Sequence, residues 1–160
     1  MTLPLILTLE ESRDPSLVGG KAAGLSRLLA AGFAVPRGAC VTAAVYRHAL
    51  STAGISAEAV WRRVLQASPE ERSRELSKIR ESLLRHAWPA GFQTALEGRL
   101  AGLAHDPVTR WAVRSSATNE DAEQASAAGL YCTSLGLSSP EVLGGIFECW
   151  LSLWTDAAVE

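Results

Sequence analysis

Three short stretches hold residue types that could do chemistry. The first is Val18-Gly19-Gly20-Lys21. Two glycines open a helix and a lysine follows in its first turn. A helix N-terminus presents N–H groups without intrahelical partners and carries partial positive charge. Glycine lets an anion approach the backbone closely, and Lys21 adds a full charge. The chemistry is phosphate binding. The stretch is not a Walker A loop, because Ala22 stands where that motif has Ser or Thr. A plain turn with a solvated lysine would look the same.

The second stretch runs from Ala112 through Val113 and Arg114 to Ser115, Ser116 and Thr118. Arg114 ends an apolar run, so its guanidinium faces a cleft or a partner. That planar fork of donors matches phosphate geometry. Ser115, Ser116 and Thr118 offer hydroxyls. Glu120 and Asp121 could orient Arg114 or lie near a metal; equally, they could pair with Arg114 locally and hold the loop. The third stretch is the small-residue run Ala125-Ser126-Ala127-Ala128-Gly129. Such a loop can fold over a ligand and donate backbone N–H groups. It could also be a hairpin connection, although it is long for one.

The elements that must hold these stretches follow from the pattern. Residues 3–9 suit a buried strand, and residues 11–20 read as a loop from their Asp-Pro, Ser and Gly content. A helix follows over 21–32, with Leu25, Leu28 and Leu29 as its apolar stripe and Gly32 as its stop. An extended segment over 33–42 ends at Thr42, a candidate N-cap for the next helix. The middle is helical: 56–66, then 68–88 with Ser68, Pro69 and Glu71 as a capping box, then a helix from Pro89 with Phe92, Leu96, Leu100 and Leu103 in register. Residues 109–116 and 130–137 read as strands, with Trp111 and Val113 on one face. A last helix over 138–156 carries Leu143, Ile146, Phe147, Trp150 and Trp154 as an apolar stripe.

Composition narrows the classes. The chain has 160 residues, 48% hydrophobic and 20% charged, which suits one soluble globular domain. A net charge of -2 and a pI near 5.9 give no nucleic-acid footprint. No run approaches membrane-spanning length. Cys40, Cys132 and Cys149 are too far apart in sequence for a zinc motif and odd in number for a disulfide framework. A reducing cytoplasm is expected. His48, His86 and His105 stand without acids or cysteines at ligand spacing and read as surface or capping residues.

The order of these blocks carries a resemblance. Residues 18–42, a helical spacer, residues 111–137 and then Cys149 to Glu160 resemble the N-terminal ATP-binding region of the phosphoenolpyruvate synthase and pyruvate phosphate dikinase family, which rifamycin phosphotransferases share. The resemblance implies an ATP-grasp fold, in which two lobes close on ATP and Mg²⁺. This chain would be the first lobe: a single α+β domain over 1–160, a small, mainly antiparallel sheet packed on helices. It also implies site residues. Lys21 and Arg114 are similar to the family's phosphate-contacting lysine and arginine, the two catalytic candidates. Gly129 is similar to the loop glycine over the phosphates. Gly19, Gly20, Ser115 and Thr118 complete the expected ATP-binding set. Clamping of that kind supplies most of the catalysis of phosphoryl transfer. Ala127 and Leu130 depart from the family's usual Phe and Gln.

The family's second ATP-grasp half, its metal-binding acids and its phosphoryl-carrier domain would follow residue 160. The expectation is therefore an ATP-binding part of a phosphotransferase, inactive alone, with metal ligands outside this chain and with the missing half as partner. A non-catalytic nucleotide-sensing or partner-binding module is the alternative. A structural domain with a decayed site is a third reading. The last helix is expected to expose apolar surface and to drive self-association.

Overall fold

The computed structural model describes residues 4–116 and 132–156. The order is β1 (Ile6–Thr8), α1 (Pro15–Ala30), β2 (Ala39–Val41), α2 (Ala43–Thr52), α3 (Ala57–Val64), α4 (Pro69–Leu83), α5 (Phe92–Leu103), β3 (Trp111–Arg114) and β4 (Thr133–Leu137). A 3-10 turn at Ser139–Glu141 then leads into α6 (Val142–Ser152). The content is α+β, as the pattern implies. The strands do not share one sheet, however. β1 pairs with β2 and β3 with β4, each antiparallel, in two separate ribbons. A two-stranded ribbon is marginal alone in water, so each is backed by its own helix. Leu7 and Cys40 of the first ribbon pack on Val18, Ala22 and Ala23 of α1. Val113 and Leu137 of the second pack against α6.

Helix α1 differs from its sequence reading in two ways. It begins at Pro15, inside the expected loop, because Asp14 caps it: the carboxylate accepts the Ser16 N–H at 2.9 Å and the Ser16 hydroxyl at 2.7 Å. Pro at N1 completes the start. The leucines are also not its buried face. Val18, Ala22, Ala23 and Ser26 are buried, while Leu25 and Leu28 are exposed. Small residues let the helix lie close to the β1–β2 ribbon, so the alanine face turns inward and the bulkier leucines outward. At the far end the Gly32 N–H reaches the Leu29 carbonyl and the Phe33 N–H reaches the Leu28 carbonyl, both at 3.0 Å. That is a Schellman stop, as Gly32 suggests.

The helical middle follows its pattern more closely. Ser68 and Glu71 form the capping box of α4, with the Ser68 N–H donating to Glu71 Oε2 at 3.0 Å. Helix α5 begins at Phe92 rather than at Pro89, with Gly91 as its cap residue. Thr42 sits at the N-cap of α2 but donates its hydroxyl to the Pro4 carbonyl at 2.7 Å, tying the chain start to β2 instead.

Helix α6 joins two cores. Val142, Ile146 and Trp150 pack with Val45, Ala49, Phe92, Leu96 and Leu100. Leu151, with Trp154 just beyond the helix, packs with Leu50 of α2, with α3 and with Leu76, Ile79 and Leu83 of α4. The Trp154 indole N–H donates to the Tyr46 hydroxyl at 2.9 Å, so its buried polar atom is satisfied. Most of the stripe of this helix is core: Ile146, Trp150 and Trp154 are buried, and Leu143 and Phe147 are partly buried against the same clusters. Large exposed apolar side chains lie elsewhere, Leu28 at 45% and Phe33 at 63% among them. His86 caps α4, donating Nδ1–H to the Leu83 carbonyl at 2.7 Å, and stacks on Phe147 beside Trp88 and Trp150.

Four carboxylates, Glu11, Asp14, Glu71 and Glu141, sit in such local caps, and hydrogen bonds hold each below its ordinary range. A depressed carboxylate stabilises the fold above its unfolded pKa, and that contribution fades as pH falls through the folded value. The thermal midpoint should therefore drop as pH is lowered through and below the usual carboxylate range. The double variant Glu71→Gln, Glu141→Gln should show a shallower acid limb in the same melts.

Candidate functional site

The site is built where α1 meets the end of β3. Helix α1 is broken at Gly19, whose φ of 79° and ψ of 165° lie in a region essentially reserved for glycine. The break ends one short helical run at Val18 and starts a second at Gly20. The second run thus has its own first turn, and Lys21, exposed to solvent, lies in it. The N–H groups of such a turn lack i−4 partners.

One of them is accounted for by a residue 94 positions away. The Ala22 N–H donates to the Ser116 hydroxyl at 3.1 Å. Gly19 lies against the same serine: a methyl group there would overlap the Ser116 carbonyl and hydroxyl. So the Gly-Gly-Lys turn and the Arg-Ser-Ser stretch form one unit. The absent side chain at Gly19 makes the approach possible, and the Ser116 side chain fixes it.

Behind this contact, α6 sets the position of β3. Gly145 faces the ribbon, and a Cβ there would lie 2.6 Å from a Leu137 methyl and 3.3 Å from a Val113 methyl. The helix can sit this low only with glycine at that point. Along β3, Trp111 and Val113 face inward, as their spacing implies, and Ala112 and Arg114 face outward. A bulge shifts the register between Trp111 and Val113, opposite Leu135 and Gly136 of β4. Gly136 has φ of 71°, which suits the bulged residue.

Arg114 pairs with Thr133 through the β3–β4 ladder, and its exposed guanidinium makes no hydrogen bond or ion pair with the described residues. Ser115 points the other way. Its N–H donates to the Cys132 carbonyl at 3.4 Å, and its hydroxyl is buried without a hydrogen-bond partner among the described residues. The Cys149 thiol also donates to that carbonyl, at 3.4 Å. Burial first, and the neighbouring Cys132 thiol second, push Cys149 up to about 12. Burial likewise pushes Cys40 up to about 11. These two thiols are neutral packing groups, not nucleophiles.

Among the expected site residues, Gly19 lies against Ser116, Gly20 and Lys21 follow it in the same turn, and Arg114 and Ser115 precede Ser116 at the strand end. Thr118 and Gly129, with Glu120, Asp121, Ala127 and Leu130, lie outside the described residues. The residue that the sequence undervalues is Ser116, the one of the three hydroxyls left out of the expected set. The signal was parity. Alternation carried on past β3 puts Ser116 on the side of Arg114 and Ser115 on the opposite side. Among the described residues no group of three His, Cys, Asp or Glu side chains could hold a metal ion. None of the described helices is long and apolar enough to cross a membrane.

Residues 15–160 match the family described as pyruvate phosphate dikinase, AMP/ATP-binding domain. The chain belongs to that family. It is similar, at 37% identity over 97% of its length, to the phosphoenolpyruvate synthase of Aeropyrum pernix. It is 36% identical over 89% of its length to a rifampicin phosphotransferase of a Streptomyces species, and 32% identical over 99% to the prodigiosin synthesizing transferase PigC of Serratia marcescens. The chain spans 20%, 17% and 16% of those three relatives.

The geometry at Gly19 separates it from other helical glycines. Gly19→Ala should destabilise the chain by about 1–3 kcal/mol from backbone strain alone, with the overlap on Ser116 added. Gly24→Ala, in the same helix and facing open space, should instead stabilise by about 0.5–1 kcal/mol. Urea unfolding of the two variants beside the parent reads both signs.

Proposed function

We propose that this chain forms the first lobe of an ATP-grasp site and clamps the phosphates of ATP for phosphoryl transfer. The observation that carries the reading is the Ser116–Ala22 hydrogen bond. It holds a helix N-terminal turn and its lysine beside the end of the strand that presents Arg114. Two cationic side chains and a turn of backbone N–H groups then border one surface. Such a surface suits a polyanion.

Membership of an AMP/ATP-binding domain family supports the same reading. So does the variety of the relatives. They are named for phosphoenolpyruvate, rifampicin and prodigiosin, yet all align with this region. What such proteins share is the nucleotide side of the reaction, and this chain carries that side. The acceptor would be chosen elsewhere.

The roles divide by chemistry. Arg114 would pair with phosphate oxygens through its planar fork and hold their orientation. Lys21 would add a point charge where negative charge gathers during transfer. Gly19 and Gly20 would admit a phosphate close to the backbone. Ser115 belongs to the proposed set by its place next to Arg114, with its hydroxyl buried on the opposite side of the strand. Thr118 and Gly129 belong to the proposed set from the loop that follows. Magnesium would neutralise phosphate charge when bound. Its ligands are proposed to lie in a second lobe.

The test is a calorimetric titration with ATP and Mg²⁺, on the parent and on folded Lys21→Ala and Arg114→Ala variants. Each variant should bind at least about tenfold more weakly, the loss of one charge-assisted contact. Parent-like binding in both would remove the phosphate site from this surface. ATP turnover on adding a matching second lobe would support the enzyme-part reading; binding without turnover would favour a nucleotide-sensing module.

A further inference from the structure

A second concave site lies at the opposite end of α1. Leu29 is ten residues beyond the Gly19 break, about 15 Å along a helix axis. There the connection between α1 and β2 faces α5 across a cavity of about 490 Å³, well within the range of small-molecule sites. Leu29, Val35 and Leu103 give it an apolar lining, and Arg37 and Arg99 both border it.

The charge distribution is uneven. Neither arginine makes an ion pair with any described residue. The Arg37 guanidinium is held in place by an Nη2–H bond to the Gly102 carbonyl at 3.2 Å, near the end of α5. Arg99 is half-buried on the other wall. Glu10 also borders the cavity without pairing to either arginine. Glu11, which feels Arg99 weakly, has its carboxylate committed to the Thr8 N–H at 2.8 Å. Two guanidiniums sharing one hollow repel each other, and an anion between them relieves that repulsion.

The space itself is maintained by α5. Gly98 and Gly102 line the cavity, and a Cβ on either would meet nothing within 4 Å. Neither has the positive φ that demands glycine. Glycine in a helix interior is less stable than alanine. Here the two glycines leave room on the α5 wall between Ala95, Arg99 and Leu103.

We propose that this cavity binds a small carboxylate with an aryl or branched apolar body. The carboxylate bridges Arg37 and Arg99, and the apolar body covers Leu29, Val35 and Leu103. The site is separate from the phosphate surface and does not depend on that reading.

Benzoate is the probe, followed by amide-resolved NMR on the whole chain. Saturable shifts centred on Gly38, Gly98 and Gly102 are expected. Benzyl alcohol, which lacks the charge, and acetate, which lacks the apolar body, should bind at least about tenfold more weakly. Arg99→Gln should weaken benzoate by a similar factor. Gly98→Leu should fill the cavity and abolish the shifts while the melting temperature holds or rises, which separates site loss from unfolding. Shifts that do not saturate, an equal response to benzyl alcohol, or undiminished binding in an Arg37→Gln, Arg99→Gln variant would overturn the proposal.

Discussion

The candidate site depends on one hydrogen bond and the vacancy beside it. The Ser116 hydroxyl accepts the Ala22 N–H, and Gly19 has no side chain to keep the two segments apart. A side-chain oxygen on a first-turn N–H is an N-cap interaction, supplied here from a distant strand end and not from the preceding residue. That choice ties the lysine turn to the strand end across 94 residues, beside a core on which both ribbons pack. Without it the lysine turn would belong to the β1–β2 unit and the arginine to the β3–β4 unit. The break at Gly19 makes the coupling possible, since an unbroken helix would have satisfied the Ala22 N–H internally.

The rest of the molecule positions the two segments that this contact joins, and both ribbons pack on one core. On one side, the alanine face of α1 rests on the first ribbon. On the other, α6 holds the second ribbon at Gly145 and is itself anchored in both larger cores. Trp154, with Tyr46 as its hydrogen-bond partner, and the ring cluster of Trp88, Phe92 and Trp150 stiffen that anchor. The position of Arg114 therefore derives from a core built largely by the helices between the two ribbons. The helical spacer thus helps to set where the strand end of the candidate site lies.

Local signals in the sequence were the most legible. The Ser68 capping box, the Schellman stop at Gly32 and the inward pair Trp111 and Val113 all depend on neighbours a few residues away, and all are present. Readings that needed tertiary information fared less well. Leu25 and Leu28 form a good helical stripe, but close packing on a ribbon favoured Ala22 and Ala23. The strands looked like one sheet because periodicity does not say which strands pair. The last helix shows an apolar stripe in the sequence, but its partners, such as Val45 and Phe92, are distant in sequence and could not be named from it. Within the site, Gly19, Gly20, Lys21 and Arg114 were visible as residue types suited to phosphate. Ser116 was harder to single out, because its importance lies in a contact across 94 residues.

The central claim is that the lysine turn and the arginine strand end form one phosphate-binding surface. An amide-resolved NMR titration of the chain with ATP and Mg²⁺ tests it most directly. The account predicts that the amides of Gly20, Lys21 and Ala22 shift together with those of Arg114, Ser115 and Ser116, along one saturation curve. Shifts confined to one of the two segments, or two curves with different midpoints, would contradict it.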